Sequence, residues 1–297
     1  MSTVALRRPV DATAAGLMVL LCFLWGFTHV FSKLAAPDIS LVMQGGLRSV
    51  LAVALLWIWA RTRKIALFEH DGTLAAGLVA GLLFAGEFLF IFAGLAHTGA
   101  SRMVVFVYLA PCLTALGLHW LVPSERLNRG QWLGVWLAFV GVSLAFLDGF
   151  SADRSSLLGD SFGVIGALLW AATTVVIRTT KLAAVSATKT LFYQLAVSAV
   201  TLPIASVLLG EPGVIAWTAL AVASLFYQGA IVSFASYLTW FWLLRHYLAA
   251  RLSVFAFLAP LFGVITGVLM LSEPLRPAFL GAVALVGAGI YLVNRRG

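Results

Sequence analysis

The chain is a succession of long apolar runs separated by short stretches that hold its charges, prolines and glycines. Ten runs stand out, at 12–35, 38–60, 73–97, 100–121, 129–148, 157–180, 185–209, 214–244, 249–271 and 276–294. A helix crosses the hydrocarbon core of a bilayer with about 20 predominantly apolar residues. The ten runs therefore predict ten transmembrane helices joined by short loops, the eighth starting as late as Thr218. The runs are apolar on every face, whereas the strands of a membrane barrel alternate in short segments. Composition makes the same point. Of 297 residues, 62% are hydrophobic and 10% charged, and the mean hydropathy is +1.04. Soluble domains carry about 25% charged residues, so a soluble enzyme is excluded. The expected fold class is an all-α integral membrane protein.

Charge then orients the chain. The net charge is +8, with the basic residues spread over many loops and no run that could track a phosphate backbone, so nucleic acid is not an expected partner. Placing the N-terminus in the cytoplasm puts fourteen of the 19 Lys and Arg on the inner side and four outside, with Arg48 inside the second run. Basic residues favour cytoplasmic loops, so both termini are expected inside. Arg7 and Arg8 precede a first run too long for a signal peptide, which reads as an uncleaved span. Cys22 and Cys112 lie inside apolar runs and read as packing residues. The five histidines form no ligand-spaced cluster with carboxylates, and no phosphate-binding loop is present. No metal, cofactor or internal ATP drive is expected.

The chain also repeats itself. His97-Thr98-Gly99-Ala100-Ser101-Arg102, continued to Leu109-Ala110-Pro111, matches His246-Tyr247-Leu248-Ala249-Ala250-Arg251, continued to Leu258-Ala259-Pro260, at a constant offset of 149. Leu24-Trp25 matches Leu169-Trp170, and Lys33 matches Arg178, at offset 145; Ser124-Glu125 matches Ser272-Glu273. This divides the chain into units at 12–148 and 157–294, each with five runs. Five is odd, so equivalent helices would cross in opposite directions. Inverted repeats around a central, midplane substrate cavity are the architecture of secondary transporters.

Leu24-Trp25-Gly26, Leu169-Trp170-Ala171, the two Leu-Ala-Pro tripeptides and the Ser-Glu pairs at Glu125 and Glu273, in this order, resemble the drug/metabolite transporter superfamily. The likeness covers essentially the whole chain and is to proteins with two EamA domains, most of all to the YddG-type amino-acid exporters. It implies alternating-access export of amino acids, aromatic or otherwise apolar, across the bacterial inner membrane. The alternative within the same fold is a carrier of another small metabolite or drug: a sugar, a nucleotide-sugar or a cationic compound. Phosphorylated cargo would call for Arg or Lys in the cavity, and Arg48 alone lies deep. A channel would carry a polar filter or a ring of charges.

Buried ionisable groups are functional candidates by default. Glu87 lies about 21 Å along its run at 1.5 Å per residue. It either pairs with Arg48 as a structural lock or faces the cavity, where it takes a substrate amine or carries a proton. Trp25, Thr28, His29 and Ser32 share one helical face, and Trp170, Thr173 and Thr174 occupy equivalent positions in the other unit. Ser236 and Tyr237, on a face with Ser233 and Trp240, are the counterparts of Glu87 and Phe88; Tyr108 and Phe257 correspond likewise. The expected substrate-binding set is Trp25, Thr28, His29, Glu87, Tyr108, Trp170, Thr173, Ser236, Tyr237 and Phe257. His29 and Glu87 permit proton coupling without requiring it. Pro111 and Pro260 sit mid-run and are expected kinks or hinges. Glu125 and Glu273 are expected to complement the dipole of the helix that follows each, and Lys33 and Arg178 to snorkel to the interface. Gly134, Gly141, Gly281, Gly287 and Gly289 are expected to let helices approach closely, within the chain or at a dimer contact.

Overall fold

The structure, a computed structural model, describes residues 8–94, 97, 100–145, 157–271 and 277–295. Thirteen α-helices run through these residues: α1 (Ala12–Ala35), α2 (Leu41–Thr62), α3 (Leu74–Gly94), α4 (Ala100–Val107), α5 (Ala110–Leu121), α6 (Arg129–Ala145), α7 (Leu157–Thr179), α8 (Ala187–Leu208), α9 (Ala219–Phe226), α10 (Tyr237–His246), α11 (Ala249–Ser253), α12 (Leu258–Leu271) and α13 (Pro277–Asn294). Among the described residues α2, α3, α7, α8 and the continuous stretch Ala219–His246 are each long and apolar enough to cross a membrane. The outer surface is rich in exposed apolar side chains such as Leu208, Trp120 and Leu78. An exposed surface of this kind has an apolar solvent as its partner.

Three of the apolar runs are broken within. Between α4 and α5 the chain makes a turn at Tyr108 and Leu109, where the Leu109 N–H bonds the Phe106 carbonyl at 3.2 Å. Pro111 then opens α5 and has no N–H for the Val107 carbonyl. Between α11 and α12 lies a 3-10 turn, Val254–Phe257, which ends three residues before Pro260. The Phe255 carbonyl in this turn, which accepts the Leu258 N–H, also accepts the Cys22 thiol of α1 at 3.2 Å. The third break carries no proline. Residues Tyr227–Ser236 wind as a π-helix between α9 and α10. Runs of this winding are rare and cluster at functional sites.

Local chemistry sets several helix starts. Ser186 caps α8 by accepting the Lys189 N–H, and Thr218 caps α9 by accepting the Ala221 N–H. The late start at Thr218 is thus the one the chain uses. Pairs of helices from the two halves then pack along their lengths: α1 with α12, α2 with α8, α3 with α7 and α6 with α13. Small residues make these contacts close. A Cβ on Gly26 would lie 2.8 Å from the Ala259 carbonyl oxygen, so the Leu-Trp-Gly and Leu-Ala-Pro motifs rest directly on each other. Gly134 and Gly289 meet in the same way across α6 and α13, while Gly281 and Gly287 have nothing within 4 Å.

Charged groups tie the two halves of the bundle together. Lys189 is buried and donates to the Asp71 carboxylate at 2.8 Å and to the Glu69 carbonyl at 3.1 Å. Hydrogen bonds from Lys189 first, then from Thr73, hold the Asp71 carboxyl well below the usual carboxylate range. Glu125, 2% exposed, pairs with Arg178 of α7 and accepts the N–H groups of Ala249 and Ala250 at 3.1 Å each. Arg178 also donates to the Leu244 and Tyr247 carbonyls. Two expectations are corrected here. Glu125 caps α11, far along the chain, rather than the helix that follows it; Arg178 is buried and paired rather than snorkelling. Glu273 lies outside the described residues, as does the side chain of Lys33.

Candidate functional site

Trp25 joins α1 to the stretch around Ser236 in the second half. It faces out of α1 beside Gly26, whose missing side chain lets α1 lie against α12. The indole Nε1–H donates to the Ser236 hydroxyl at 2.9 Å, and Ser236 in turn donates to the Val232 carbonyl at 2.6 Å. The indole ring meets Tyr237 edge-on at 6.2 Å between centroids and Trp240 at 5.8 Å. Tyr237 meets Phe84 of α3 at 5.9 Å, and Phe84 meets Phe88 at 5.0 Å. On the other side Tyr108, at the break after α4, packs edge-on against Trp170 of α7 at 5.9 Å. Edge-to-face pairs of this kind fix ring orientation and add about 0.5–1.5 kcal/mol beyond area burial.

The polar members are fewer than the sequence suggests. The Thr28 and Thr173 hydroxyls each donate to the carbonyl four residues earlier on their own helix, at 3.2 and 2.9 Å, and Thr174 does the same at 3.4 Å. Their donor capacity is therefore used locally. Phe257 is fully buried in the 3-10 turn. His29 lies on α1, with its side chain outside what the structure describes. Glu87 is 7% exposed and Arg48 3%. No Arg48 nitrogen comes within 4.0 Å of a Glu87 oxygen, so the structural ion pair is not formed. Instead the guanidinium carbon stands 4.2 Å over the Phe88 ring, a cation–π contact, and Arg48 Nε has no hydrogen-bond partner.

A second polar set ties this region to α2 and α9. Gln44, fully buried, donates to the Ile39 carbonyl at 2.7 Å and to the Ser32 carbonyl at 3.1 Å. The Gln228 amide donates to the Gln44 side-chain Oε1 at 2.8 Å and to the Ser224 hydroxyl at 3.0 Å, and the Tyr227 hydroxyl donates to the Leu24 carbonyl at 2.9 Å. The polar stripes and ionisable groups read from the sequence include neither glutamine. Their signal was present: a primary amide inside an apolar run is costly unless partnered.

An all-helical bundle with an apolar exterior, an interior seam of aromatic and polar groups, and helices from both halves paired across it is that of a multi-pass membrane transporter. The chain matches the EamA-like transporter family over residues 12–147 and 157–295, and it belongs to that family, within the drug/metabolite transporter superfamily. It is 28% identical to the "Uncharacterized transporter YvbV" of Bacillus subtilis, covering 98% of this chain and 94% of that one. It is 23% identical to the "Probable amino-acid metabolite efflux pump" of Salmonella typhimurium and 24% to that of Escherichia coli, covering 93% of each chain in both cases. A solved crystal structure with 18% sequence identity superposes with a TM-score of 0.81 over 96% of this chain and 99% of its own, a likeness of fold.

Proposed function

We propose that the protein is a secondary transporter that exports amino acids, aromatic or otherwise apolar, from the bacterial cytoplasm by alternating access. In this reading it has ten spans as two inverted five-helix units, 12–148 and 157–294, with both termini cytoplasmic in the inner membrane. The observation that carries it is the bond from Trp25 of the first unit to Ser236 of the second, with Tyr237 and Trp240 packed on the same indole. Substrate sites at a repeat interface suit alternating access. Rings for an apolar side chain and a few convergent polar groups for its charged end suit an amino acid. The printed names of the Salmonella and Escherichia relatives support the same substrate class. Trp25, Tyr108, Trp170, Tyr237 and Glu87 would contact cargo, and the breaks at Pro111 and Pro260 would let half a helix swing.

The test is uptake of a labelled amino-acid panel by purified protein in liposomes, with and without a pH gradient. Saturable uptake of several apolar or aromatic amino acids is expected. Dependence on the gradient would assign a proton to the cycle; independence would assign facilitated transport. Uptake of none by folded protein removes the amino-acid assignment and leaves another small metabolite or drug as cargo.

A further inference from the structure

Two opposite charges buried in a bilayer have an obvious low-energy arrangement, which is to touch. A buried charge without a partner is strongly destabilising, and breaking a buried pair costs more than forming it gains. Arg48 and Glu87 are both more than nine-tenths buried, and they do not touch. α2 delivers Arg48 onto the Phe88 ring, and Phe88 is the immediate neighbour of Glu87 on α3. The cation is thus held on an aromatic face rather than on the carboxylate, with one guanidinium N–H left without an acceptor. The Phe88 ring under Arg48 meets Phe84 at 5.0 Å, and Phe84 meets Tyr237, whose ring also meets Trp25.

The geometry points to Arg48 and Glu87 as a split receptor for a zwitterion, Arg48 taking the α-carboxylate and Glu87 the α-ammonium of one amino acid whose side chain lies on the Trp25–Tyr237–Phe84 rings. The inference rests on the amino-acid reading above and adds to it which residue reads which charge. A planar guanidinium suits a carboxylate, which it can hold through two parallel hydrogen bonds. A carboxylate suits an ammonium, which brings three donors. A zwitterion satisfies both residues at once and stays neutral overall, so the loaded site carries no net burden beyond that of the empty one. A cargo with one charge leaves the other residue without its partner. Discrimination against such cargo follows from the unpaired group, the strongest basis for rejection available to a binding site.

The test is competition against labelled L-phenylalanine in the same liposomes, using unlabelled phenylalanine, phenylalanine amide and 3-phenylpropionate. In the wild type each analogue should compete about tenfold or more less well than phenylalanine, since a hydrogen bond to a charged group is lost in each case. Arg48→Gln should weaken phenylalanine and bring the amide level with it, while 3-phenylpropionate stays poor. Glu87→Gln should do the reverse, bringing 3-phenylpropionate level and leaving the amide poor. Arg48→Lys and Glu87→Asp keep the charges and should keep the wild-type ranking, which separates reading of charge from loss of fold. Variants that weaken all three competitors by one factor, or a wild type that ranks them equally, overturn the pairing and leave amino-acid transport standing. A wild type that takes up none of the amino acids overturns both.

Discussion

At the scale of single residues, the structure separates groups that hold the bundle from groups held in reserve. Glu125 belongs to the first kind: both its oxygens are occupied, by Arg178 and by the amides that open α11. Glu125→Gln leaves the Arg178 guanidinium buried without its counter-charge. It should cost about 3–5 kcal/mol of stability, read as a fall in denaturant resistance in detergent. Replacing both residues by apolar ones should cost less than Glu125→Gln alone. Asp71 makes a prediction about pH. Its folded pKa is depressed, so its contribution is complete above the unfolded value of about 4 and is lost as pH falls through the lower folded value. Wild type and Asp71→Asn should therefore differ in thermal unfolding by a constant amount from pH 7 to pH 5 and converge only below about 4. The role of Glu125 was not legible in the sequence. A Ser-Glu pair just before an apolar run has the form of a local cap, and the amides it binds lie 124 and 125 residues away. The seclusion of Glu87 was legible, because its depth follows from position alone. Its separation from Arg48 was not, because that depends on where α2 lands on α3.

Elements show the same division. Helix positions followed from apolar runs, since nothing but a helix satisfies its own backbone within lipid. Winding within a run did not. Hydropathy is the same for α, 3-10 and π turns, so the π stretch Tyr227–Ser236 left no mark that could be read in advance. The prolines did leave one, and the breaks fall just before each, at Tyr108–Leu109 and at Val254–Phe257. Pro111→Ala restores an N–H that can bond the Val107 carbonyl and draw α4 and α5 into one helix. Stability should hold or rise by up to about 1 kcal/mol, while labelling of single cysteines from the two sides of the membrane should become unequal as one facing state is favoured. Labelling identical to wild type would show the break to be a fixed kink.

For the whole molecule, the small-residue stripe was legible as packing and illegible as to what it packs against. Gly134 and Gly141 of α6 meet α13, and Gly289 meets α6, whereas Gly281 and Gly287 face open space. Gly289→Ala would set a Cβ 2.5 Å from the Gly134 carbonyl oxygen, a backbone clash that cannot be relieved by a rotamer change. It should lower the melting temperature in detergent, with overpacking costing about 1–3 kcal/mol, while Gly287→Ala should be neutral. The same contact has a consequence for how the protein is made. α6 is translated before α7 to α12, but the surface that covers its glycine face is α13, which is translated after all of them. Throughout the synthesis of α7 to α12 that face has lipid for a neighbour. The glycine face of α6 therefore gains its partner only once α13 has been made, so a bundle that lacks α13 leaves that face uncovered.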